Sequence, residues 1–380
     1  MRPTPLWRHI TRGLTLSASA DAPSAEEGSV RIAQVSPLFE SVPPQLYGGT
    51  ERVVSYLTEE LVSAGHEVTL FASGDSVTRA DLVPLVERSL RLDPQCIDSL
   101  SHHVRALEAV YRRASDFDCI HFHVDYLHFP LSSRHKAPRL TTLHGRLDLR
   151  DLAPLYEMFP NEPLVSISDA QRAPLPWVNW HATIHHGLPA DLLRFDPGPG
   201  KYLAFLGRIS PEKRPDRAIE LARRTGIPLR IAAKVDRADK EYFESKIKPL
   251  LSGGGVEYIG EIDEHEKQEF LGQALGLVFL IDWPEPFGLV MIEAMACGTP
   301  VIAWRGGSVP EIIEDGTNGY IVESMEQAEA AVEKAVRLDR ARCRAAFEAR
   351  FTAERMAGQY LEAYQRAIWA MRPRHSAAAS

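Results

Sequence analysis

The chain has 380 residues, of which 44% are hydrophobic and 25% are charged, and its formal net charge of −8 gives a pI near 6.0. This composition is globular, and the length allows two domains of roughly 150–200 residues each. The acidic balance disfavours a nucleic-acid partner but leaves room for a local basic cleft. No apolar run approaches the roughly 20 residues that a transmembrane segment needs.

The cysteines indicate the cellular compartment. No two of them form a CxxC pair, which argues against a zinc knuckle, a redox motif or a disulfide framework. A reducing, cytoplasmic location fits best. The four residues are Cys96, Cys119, Cys297 and Cys343.

Residues 1–28 differ in composition from the rest of the chain. They carry Arg2, Arg8 and Arg12 ahead of a stretch rich in serine and alanine. The apolar piece at residues 13–16 is too short for a signal-peptide core. We predict a disordered extension over residues 1–28, with a targeting segment or docking arm as the alternative.

From residue 29 onward, short apolar runs alternate with amphipathic stretches. This alternation predicts an α/β fold with a parallel sheet wound on both faces, and we assign residues 29–193 to a first Rossmann-like domain. Strands are predicted at residues 29–35, 67–72, 118–122, 139–142, 163–167 and 182–185, and helices at 49–63 and 102–114.

Residues 194–200 end in two prolines and two glycines, which continue neither a helix nor a strand, and we predict a hinge there. A second Rossmann-like domain is predicted over residues 201–350. A C-terminal helix over residues 351–372 is expected to cross back and tie the lobes together, followed by a disordered tail at 373–380. Strands of the second domain are predicted at 202–206, 228–232, 256–259, 276–280 and 300–303.

Two doubly wound sheets that face each other enclose a deep cleft, because open parallel sheets bind ligands at the carboxyl ends of their strands. The run at residues 285–301, EPFGLVMIEAMACGTPV, follows such a strand and then takes helical spacing. Gly288 is therefore predicted at a helix N-terminus, where free amides suit a phosphate. Glu285 in the loop and Glu293 in the helix are predicted to reach different parts of a ligand.

Cationic residues follow the first strand of the second domain. Arg208 and Lys213 lie in the loop GRISPEK, where a planar guanidinium and a mobile ammonium can bracket a diphosphate. An exposed basic turn is the alternative.

Two segments of the first domain point into the same cleft. Gly48 and Gly49 follow the first strand and allow the backbone to approach a ligand closely, although they form no GxGxxG fingerprint. His144, in the segment TLHG, is predicted at the end of a strand, where it can hydrogen-bond a sugar hydroxyl. A structural histidine with internal partners is the alternative.

Two patterns imitate metal sites. His121, His123 and Asp125 alternate along one strand and so share a face, which could hold a metal. We favour a role in lining the cleft. Asp116 and Asp118 imitate a D-x-D motif but precede a strand, so we interpret them as a loop feature.

The segments 285–301 and 207–213, together with Gly48-Gly49 and TLHG, closely resemble glycosyltransferase family 4, and this resemblance covers about residues 30–369. It implies a GT-B fold and a retaining, metal-independent hexosyltransferase that needs no cofactor. By the same resemblance the first domain binds the acceptor and the second binds a nucleotide sugar. UDP-glucose is the first expectation for the donor and GDP-mannose the second.

The resemblance also implies roles for single residues. Glu293 would hold the ribose hydroxyls, and Glu285 would contact hydroxyls of the transferred sugar. Arg208, Lys213 and the amides near Gly288 would stabilise the leaving diphosphate. His144 would line the donor-sugar pocket, and donor binding would involve Gly48, Gly49, Phe287, Gly288, Leu289 and Glu293.

Several alternatives stay open. A phosphorylase or nucleotide-sugar epimerase could use the same architecture, as could a non-catalytic sugar-nucleotide-binding protein. The acceptor is a small molecule, a glycan or a lipid, and the run at residues 42–51 is similar to bacterial pterin glucosyltransferases. The segment HHGLP at 185–189 departs from the family pattern, because many relatives have Asn where His186 stands and Asp where Pro189 stands.

Overall fold

A computed structural model describes residues 28–45 and 48–371. The extension predicted at residues 1–28 lies outside the described residues except for Gly28, and the tail predicted at 373–380 lies wholly outside them. No helix in the described part of the chain is long and apolar enough to cross a membrane.

Two parallel sheets organise the molecule, which confirms the predicted pair of doubly wound domains. The N-terminal unit carries a seven-stranded sheet in the order β3-β2-β1-β4-β5-β6-β7. Its strands are β1 (Arg31–Val35), β2 (Glu67–Ser73), β3 (Asp81–Val86), β4 (Cys119–Phe122), β5 (Arg139–Thr142), β6 (Leu164–Ser166) and β7 (Trp180–Thr183). Its helices are α1 (Gly49–Ser63), α2 (Ser99–Arg112), α3 (Phe129–Ser132), α4 (Leu152–Met158) and α5 (Asp169–Arg172).

The C-terminal unit repeats this plan with six strands in the order β10-β9-β8-β11-β12-β13. Its strands are β8 (Tyr202–Arg208), β9 (Leu229–Lys234), β10 (Val256–Gly260), β11 (Ala274–Phe279), β12 (Val301–Trp304) and β13 (Gly319–Val322). The helices of this half of the chain are α6 (Pro215–Thr225), α7 (Lys240–Tyr242), α8 (Glu264–Gly272), α9 (Leu289–Ala296), α10 (Val309–Ile312), α11 (Met325–Ala335), α12 (Arg340–Arg350) and α13 (Ala353–Met371).

Two strands escaped the sequence analysis, and both lie at sheet edges. In β3, half-exposed residues and Pro84 break the apolar pattern, and proline is tolerated there because one side of an edge strand needs no ladder hydrogen bond. Strand β13 has only four residues and pairs with β12 alone. The predicted central strands, by contrast, are short apolar runs buried on both faces.

The segment predicted as a hinge is fastened to the C-terminal unit. Arg194 exchanges two hydrogen bonds with the Gln268 side chain, and the Asp196 amide donates to the Cys297 carbonyl at 3.1 Å. Whether residues 194–200 act as a hinge stays a prediction, as do the domain boundaries at 193 and 350.

Helix α13 crosses back onto the N-terminal unit, as predicted. The chain enters it by pairing with that unit, since Leu188 donates to the Phe351 carbonyl and Ala353 donates to the Leu188 carbonyl. Gly187 is required here, because a Cβ atom on it would lie 2.2 Å from the Thr352 carbonyl oxygen. Farther along the helix, the Tyr364 hydroxyl hydrogen-bonds Gln34 of β1 and His121 of β4.

The two units also touch at the loop that contains Pro286. The Ser168 hydroxyl donates to the Pro286 carbonyl at 2.6 Å, and the Glu311 carboxylate accepts from the Asp169 and Ala170 amides at 2.8 and 2.7 Å. A salt bridge between Arg52 and Glu264 adds a charged contact. A hydrophobic core cluster continues across both units, and includes Ile32, Val53, Phe287, Met291 and Tyr360.

Candidate active site

A cavity of about 600 Å³ lies between the carboxyl ends of the two sheets. Residues that follow β1, β4 and β5 line one side, and residues that follow β8 and β11 line the other. All ten predicted site residues line it: Gly48, Gly49, His144, Arg208, Lys213, Glu285, Phe287, Gly288, Leu289 and Glu293. The structure thus brings them together, while their individual roles stay predictions.

Lys213 and Glu285 face each other in this cavity as a salt bridge. Lys213 ends a 3₁₀ turn, Pro211–Lys213, and its Nζ lies 4.8 Å from the centre of the Trp283 ring. The same Glu285 oxygen accepts a 2.8 Å hydrogen bond from the Trp283 indole N–H. The ammonium is therefore held among aromatic rings and a carboxylate, at a place where a ligand phosphate can compete for it.

Arg208 is the last residue of β8, and carboxylates also surround its guanidinium. It hydrogen-bonds Glu212, and Asp236 and Asp239 lie at 3.6 and 3.8 Å. These acids orient the cation and partly neutralise it. Its side chain still lines the cavity, so an anionic ligand can reach it.

Helix α9 begins where the sequence predicts. Gly288 is its N-cap residue with φ 81°, the left-handed region that favours glycine, and a Cβ atom there would lie 2.9 Å from the Met291 methyl carbon. Glu293, one turn later, is 4% exposed and pairs with Lys267 at 2.7 Å. The helix offers free amides at one point of the cavity and a carboxylate at another.

The glycine pair of the N-terminal unit faces this helix. A Cβ atom on Gly48 would lie 2.8 Å from that of Pro44, so the loop is tightly packed. A Cβ atom on Gly49 would lie 3.7 Å from the Leu289 side chain. The two units therefore approach each other closely at this edge of the cavity.

His144 follows β5 and lines the same cavity. Burial lowers its pKa to about 3, so the imidazole is neutral at physiological pH. Its ring stacks on His186, with centroids 5.3 Å apart, and His186 packs edge-on against Phe287 at 4.9 Å. His186, which departs from the family pattern, thus connects the two halves of the site.

Several cavity residues were missed by sequence reasoning. Lys267 pairs with Glu293 from a separate helix, α8, and no local motif indicates it. Glu51 is 6% exposed in the first turn of α1, and burial raises its pKa. Its position two residues after Gly49 is a signal that could have identified it.

Asp125, which was predicted to line the cleft as part of the segment with His121 and His123, does line the cavity. It opens onto the cavity with φ 49°, an unusual backbone conformation for a residue other than glycine, and desolvation raises its pKa to about 6. Strained backbone of this kind concentrates at functional sites.

The candidate metal cluster does not assemble in the described residues. Both ring nitrogens of His121 are engaged by Tyr364 and Thr142, and no group of three or more metal-binding side chains occurs at residues 28–45 and 48–371. Asp118 pairs with Arg31 at 2.8 Å before β4, on the loop where the sequence predicts it. Metal independence of the activity stays a prediction.

Two family models match adjoining parts of the chain. The model described as Glycosyltransferase Family 4 matches residues 47–205, and the one described as Glycosyl transferases group 1 matches residues 195–350. Together they span both sheets and the cavity between them.

Curated relatives share moderate identity with the chain. The D-inositol 3-phosphate glycosyltransferase of Mycolicibacterium smegmatis is 27% identical over 235 residues, which are 56% of this chain and 52% of that protein. The protein of the same name from Nocardia farcinica is 31% identical over 222 residues, 47% of this chain and 46% of the relative. The chain thus matches about half the length of these relatives.

Solved structures share the fold over most of the chain. AviGT4, a glycosyltransferase involved in avilamycin A biosynthesis, superposes with a TM-score of 0.70 at 24% identity, covering 90% of this chain and 98% of its own. Sucrose-phosphate synthase from Thermosynechococcus elongatus gives 0.74 at 20% identity, covering 90% and 100%. Anabaena HepE, solved with UDP and glucose, gives 0.71 at 16% identity, covering 89% and 100%.

Proposed function

The chain belongs to glycosyltransferase family 4, and on that basis we propose that it transfers a hexose from a nucleoside diphosphate sugar to an acceptor hydroxyl with retention of configuration. The C-terminal unit would hold the donor and the N-terminal unit the acceptor. We expect the enzyme to act in the cytoplasm without a divalent metal.

One observation carries the proposal: cations, helix amides and carboxylates from separate loops line a single cavity. Arg208, Lys213 and the amides that follow Gly288 would bind the diphosphate and stabilise the charge that develops as it leaves. Glu293 would accept from the ribose hydroxyls. The donor would thus extend from Glu293, past the start of α9, towards His144.

Retention without a covalent intermediate is the mechanism we favour. The two acids nearest the proposed donor are already engaged, Glu285 by Lys213 and Trp283 and Glu293 by Lys267, which makes neither a free nucleophile. The acceptor hydroxyl would attack the anomeric carbon on the face that the diphosphate leaves, and the departing phosphate oxygen would take its proton. The cations would offset the charge on that oxygen until the proton arrives.

For the donor, we propose UDP-glucose first and GDP-mannose second. HepE, a fold neighbour, has been solved with UDP-glucose, and this supports the choice at the level of the fold. For the acceptor, the relatives named above act on D-inositol 3-phosphate, while small molecules, glycans and lipids all stay candidates for this chain.

Release of nucleoside diphosphate from UDP-glucose and GDP-mannose, measured with and without a panel of acceptors, tests the proposal. We expect one donor to be consumed in an acceptor-dependent way, and NMR of the product to show the anomeric configuration of the donor. A matched Lys213→Ala sample controls for contaminating activity. Turnover that requires inorganic phosphate, or isomerisation of the sugar nucleotide without transfer, would replace the proposal by a phosphorylase or an epimerase.

A further inference from the structure

A continuous line of buried hydrogen bonds connects the C-terminal helix to the cavity. Gln34 Nε2 donates to the Tyr364 hydroxyl at 2.9 Å, and Gln34 Oε1 lies 2.8 Å from His123 Nε2. His123 Nδ1 lies 2.9 Å from His144 Nε2. Gln34 and Tyr364 are fully buried and do not line the cavity, whereas His123, which is 2% exposed, and His144 both line it, so the line reaches the cavity at its histidine end.

A second branch leaves Tyr364 in the other direction. Its hydroxyl lies 2.8 Å from His121 Nδ1, and His121 Nε2 lies 2.7 Å from the Thr142 hydroxyl. The Tyr360 hydroxyl closes this branch on Thr142 at 2.9 Å. Two tyrosines one turn apart on α13 therefore have different positions in the network. Tyr364 belongs to the line that leads to His144, and Tyr360 does not.

The orientation of the Gln34 amide fixes the protons along the line. Burial holds the pKa of His121, His123 and His144 below the ordinary value, so each ring is neutral and has one donor and one acceptor nitrogen. Gln34 Oε1 can only accept, which places the proton of His123 on Nε2. His123 Nδ1 must then accept from His144 Nε2–H. The remaining nitrogen of His144, Nδ1, carries no proton.

His144 Nδ1 is the atom left for a ligand. It makes no hydrogen bond within residues 28–45 and 48–371, and its ring lines the cavity. In this tautomer it can accept a hydrogen bond but cannot donate one. A substrate hydroxyl is the complementary partner, whereas a carbonyl or phosphate oxygen would meet a lone pair.

We propose that Tyr364, Gln34 and His123 are positioning residues that hold His144 in its Nε2–H tautomer, so that Nδ1 accepts a hydrogen bond from a substrate hydroxyl. The second half of this inference rests on the proposed function, because it requires a hydroxylated sugar or acceptor in the cavity. The assignment of the His144 tautomer does not depend on the proposed function. The docking of the last helix on the first sheet thereby sets the hydrogen-bonding character of a residue in the active site.

Nitrogen-15 NMR of the full chain, labelled at the histidine rings, tests the tautomer without any activity assay. The His144→Gln variant identifies the His144 signals by their loss. We expect pyridine-type nitrogen for His144 Nδ1 and pyrrole-type nitrogen for Nε2. The opposite pattern would show the Gln34 amide reversed and would overturn the proposal.

Variants at His123 separate positioning from packing. His123→Leu removes the acceptor that His144 uses, and we expect mixed tautomers at His144 and a fall of about tenfold in kcat/KM for UDP-glucose, the scale of one hydrogen bond. His123→Gln can donate to Gln34 and accept from His144 with the same polarity. The His123→Gln variant should restore the nitrogen-15 pattern of the His144 Nε2–H tautomer and bring kcat/KM to within about threefold of wild type.

A tyrosine pair provides a matched control and does not depend on the folding of the His123 variants. Tyr364→Phe should broaden or shift the His144 ring signals and lower kcat/KM about fivefold, whereas Tyr360→Phe, the same change one turn away, should do neither. Equal effects of the two changes, or an unaltered His144 in both Tyr364→Phe and His123→Leu, would refute the inference. If no donor turns over while the expected tautomers are observed, the proposed function fails and the positioning network stands.

Discussion

Lys213 and Glu285 form a salt bridge inside the cavity, so the ammonium proposed for the leaving diphosphate already has a carboxylate partner. Their chain positions are 72 residues apart, in the loops that follow β8 and β11. The pair places a cation and an acid at one point of the cleft, where a bound nucleotide sugar has both phosphate and hydroxyl groups to offer. Binding of the phosphate must therefore compete with Glu285.

Removal of either cation should impair turnover without unfolding the protein. We expect Arg208→Ala and Lys213→Ala each to lower kcat about a hundredfold, because each removes a positive charge from the leaving diphosphate. Circular dichroism and steady-state kinetics check this. Arg305→Ala, which breaks an exposed pair with Glu323 away from the cavity, is the control and should retain full activity.

Glu285→Gln should separate nucleotide binding from catalysis. The change frees Lys213 from its carboxylate, so we expect UDP to bind a few-fold more tightly, while turnover falls because the contact with the transferred sugar is lost. Isothermal titration with UDP, alongside turnover of UDP-glucose, measures both. Weaker binding of UDP in this variant would mean that Glu285 supports the nucleotide and not the sugar.

Glu293 should recognise the ribose. Wild-type protein is expected to bind 2′,3′-dideoxy-UDP at least tenfold more weakly than UDP, because the buried carboxylate then loses its hydroxyl partners. In the Glu293→Gln variant, the ratio of the dissociation constants of 2′,3′-dideoxy-UDP and UDP should be smaller than in the wild type. A ratio that is unchanged in the variant would assign the ribose hydroxyls to other residues.

Activity should persist in excess EDTA, since two cations and the α9 amides would do the work that a divalent ion performs in D-x-D enzymes. The measurement is turnover after dialysis against EDTA, then with added Mg²⁺ or Mn²⁺. A loss that these ions reverse would direct attention to Asp125 or to the Asp116 and Asp118 loop.

The folded state should lose stability as the pH falls below about 6.5. Burial lowers the pKa of His121, His123, His128, His144 and His186, so in acid the unfolded chain binds more protons than the folded one. As the pH falls from its unfolded to its folded pKa value, each such histidine lowers the free energy of unfolding by about 1.4 kcal/mol per pH unit. This stability is complete above pH 6.5 and declines towards lower pH.

Glu51 and Asp125, whose pKa values are raised, act in the opposite direction and offset part of this loss. Urea unfolding at pH 7.0, 6.0 and 5.5 measures how steeply the free energy of unfolding changes with pH. His128→Gln, distant from the proposed chemistry, should reduce the slope by about one histidine's share. A flat profile from pH 7.0 to 5.5 would contradict the expectation.

The sequence was informative where a local pattern determines structure. The central strands and α1 are short, uniformly apolar or amphipathic stretches, and α1 begins and ends at the predicted residues. Site residues in strand-to-helix loops could be identified because the carboxyl ends of parallel strands share one edge. Gly288 could be placed because its neighbours change to helical spacing.

The missed features depend on contacts between distant parts of the chain. Lys267 shows no motif, and its value lies in Glu293 being 2.7 Å away on another helix. Tyr360 and Tyr364 look like the apolar face of an amphipathic helix, whereas their hydroxyls meet Thr142, His121 and Gln34. Such pairings follow from the packing of the two units, which no local periodicity encodes.

The crossing of α13 has a consequence for synthesis on the ribosome. The sheet made first carries Gln34, His121 and Thr142, and their partners on α13, Tyr360 and Tyr364, do not exist until about residue 364 has been translated. The N-terminal unit therefore cannot complete its hydrogen bonding until α13 has been translated and has docked on it. A protein that stops before α13 would leave Gln34, His121 and Thr142 without their tyrosine partners, and buried polar groups that lack a partner destabilise a fold.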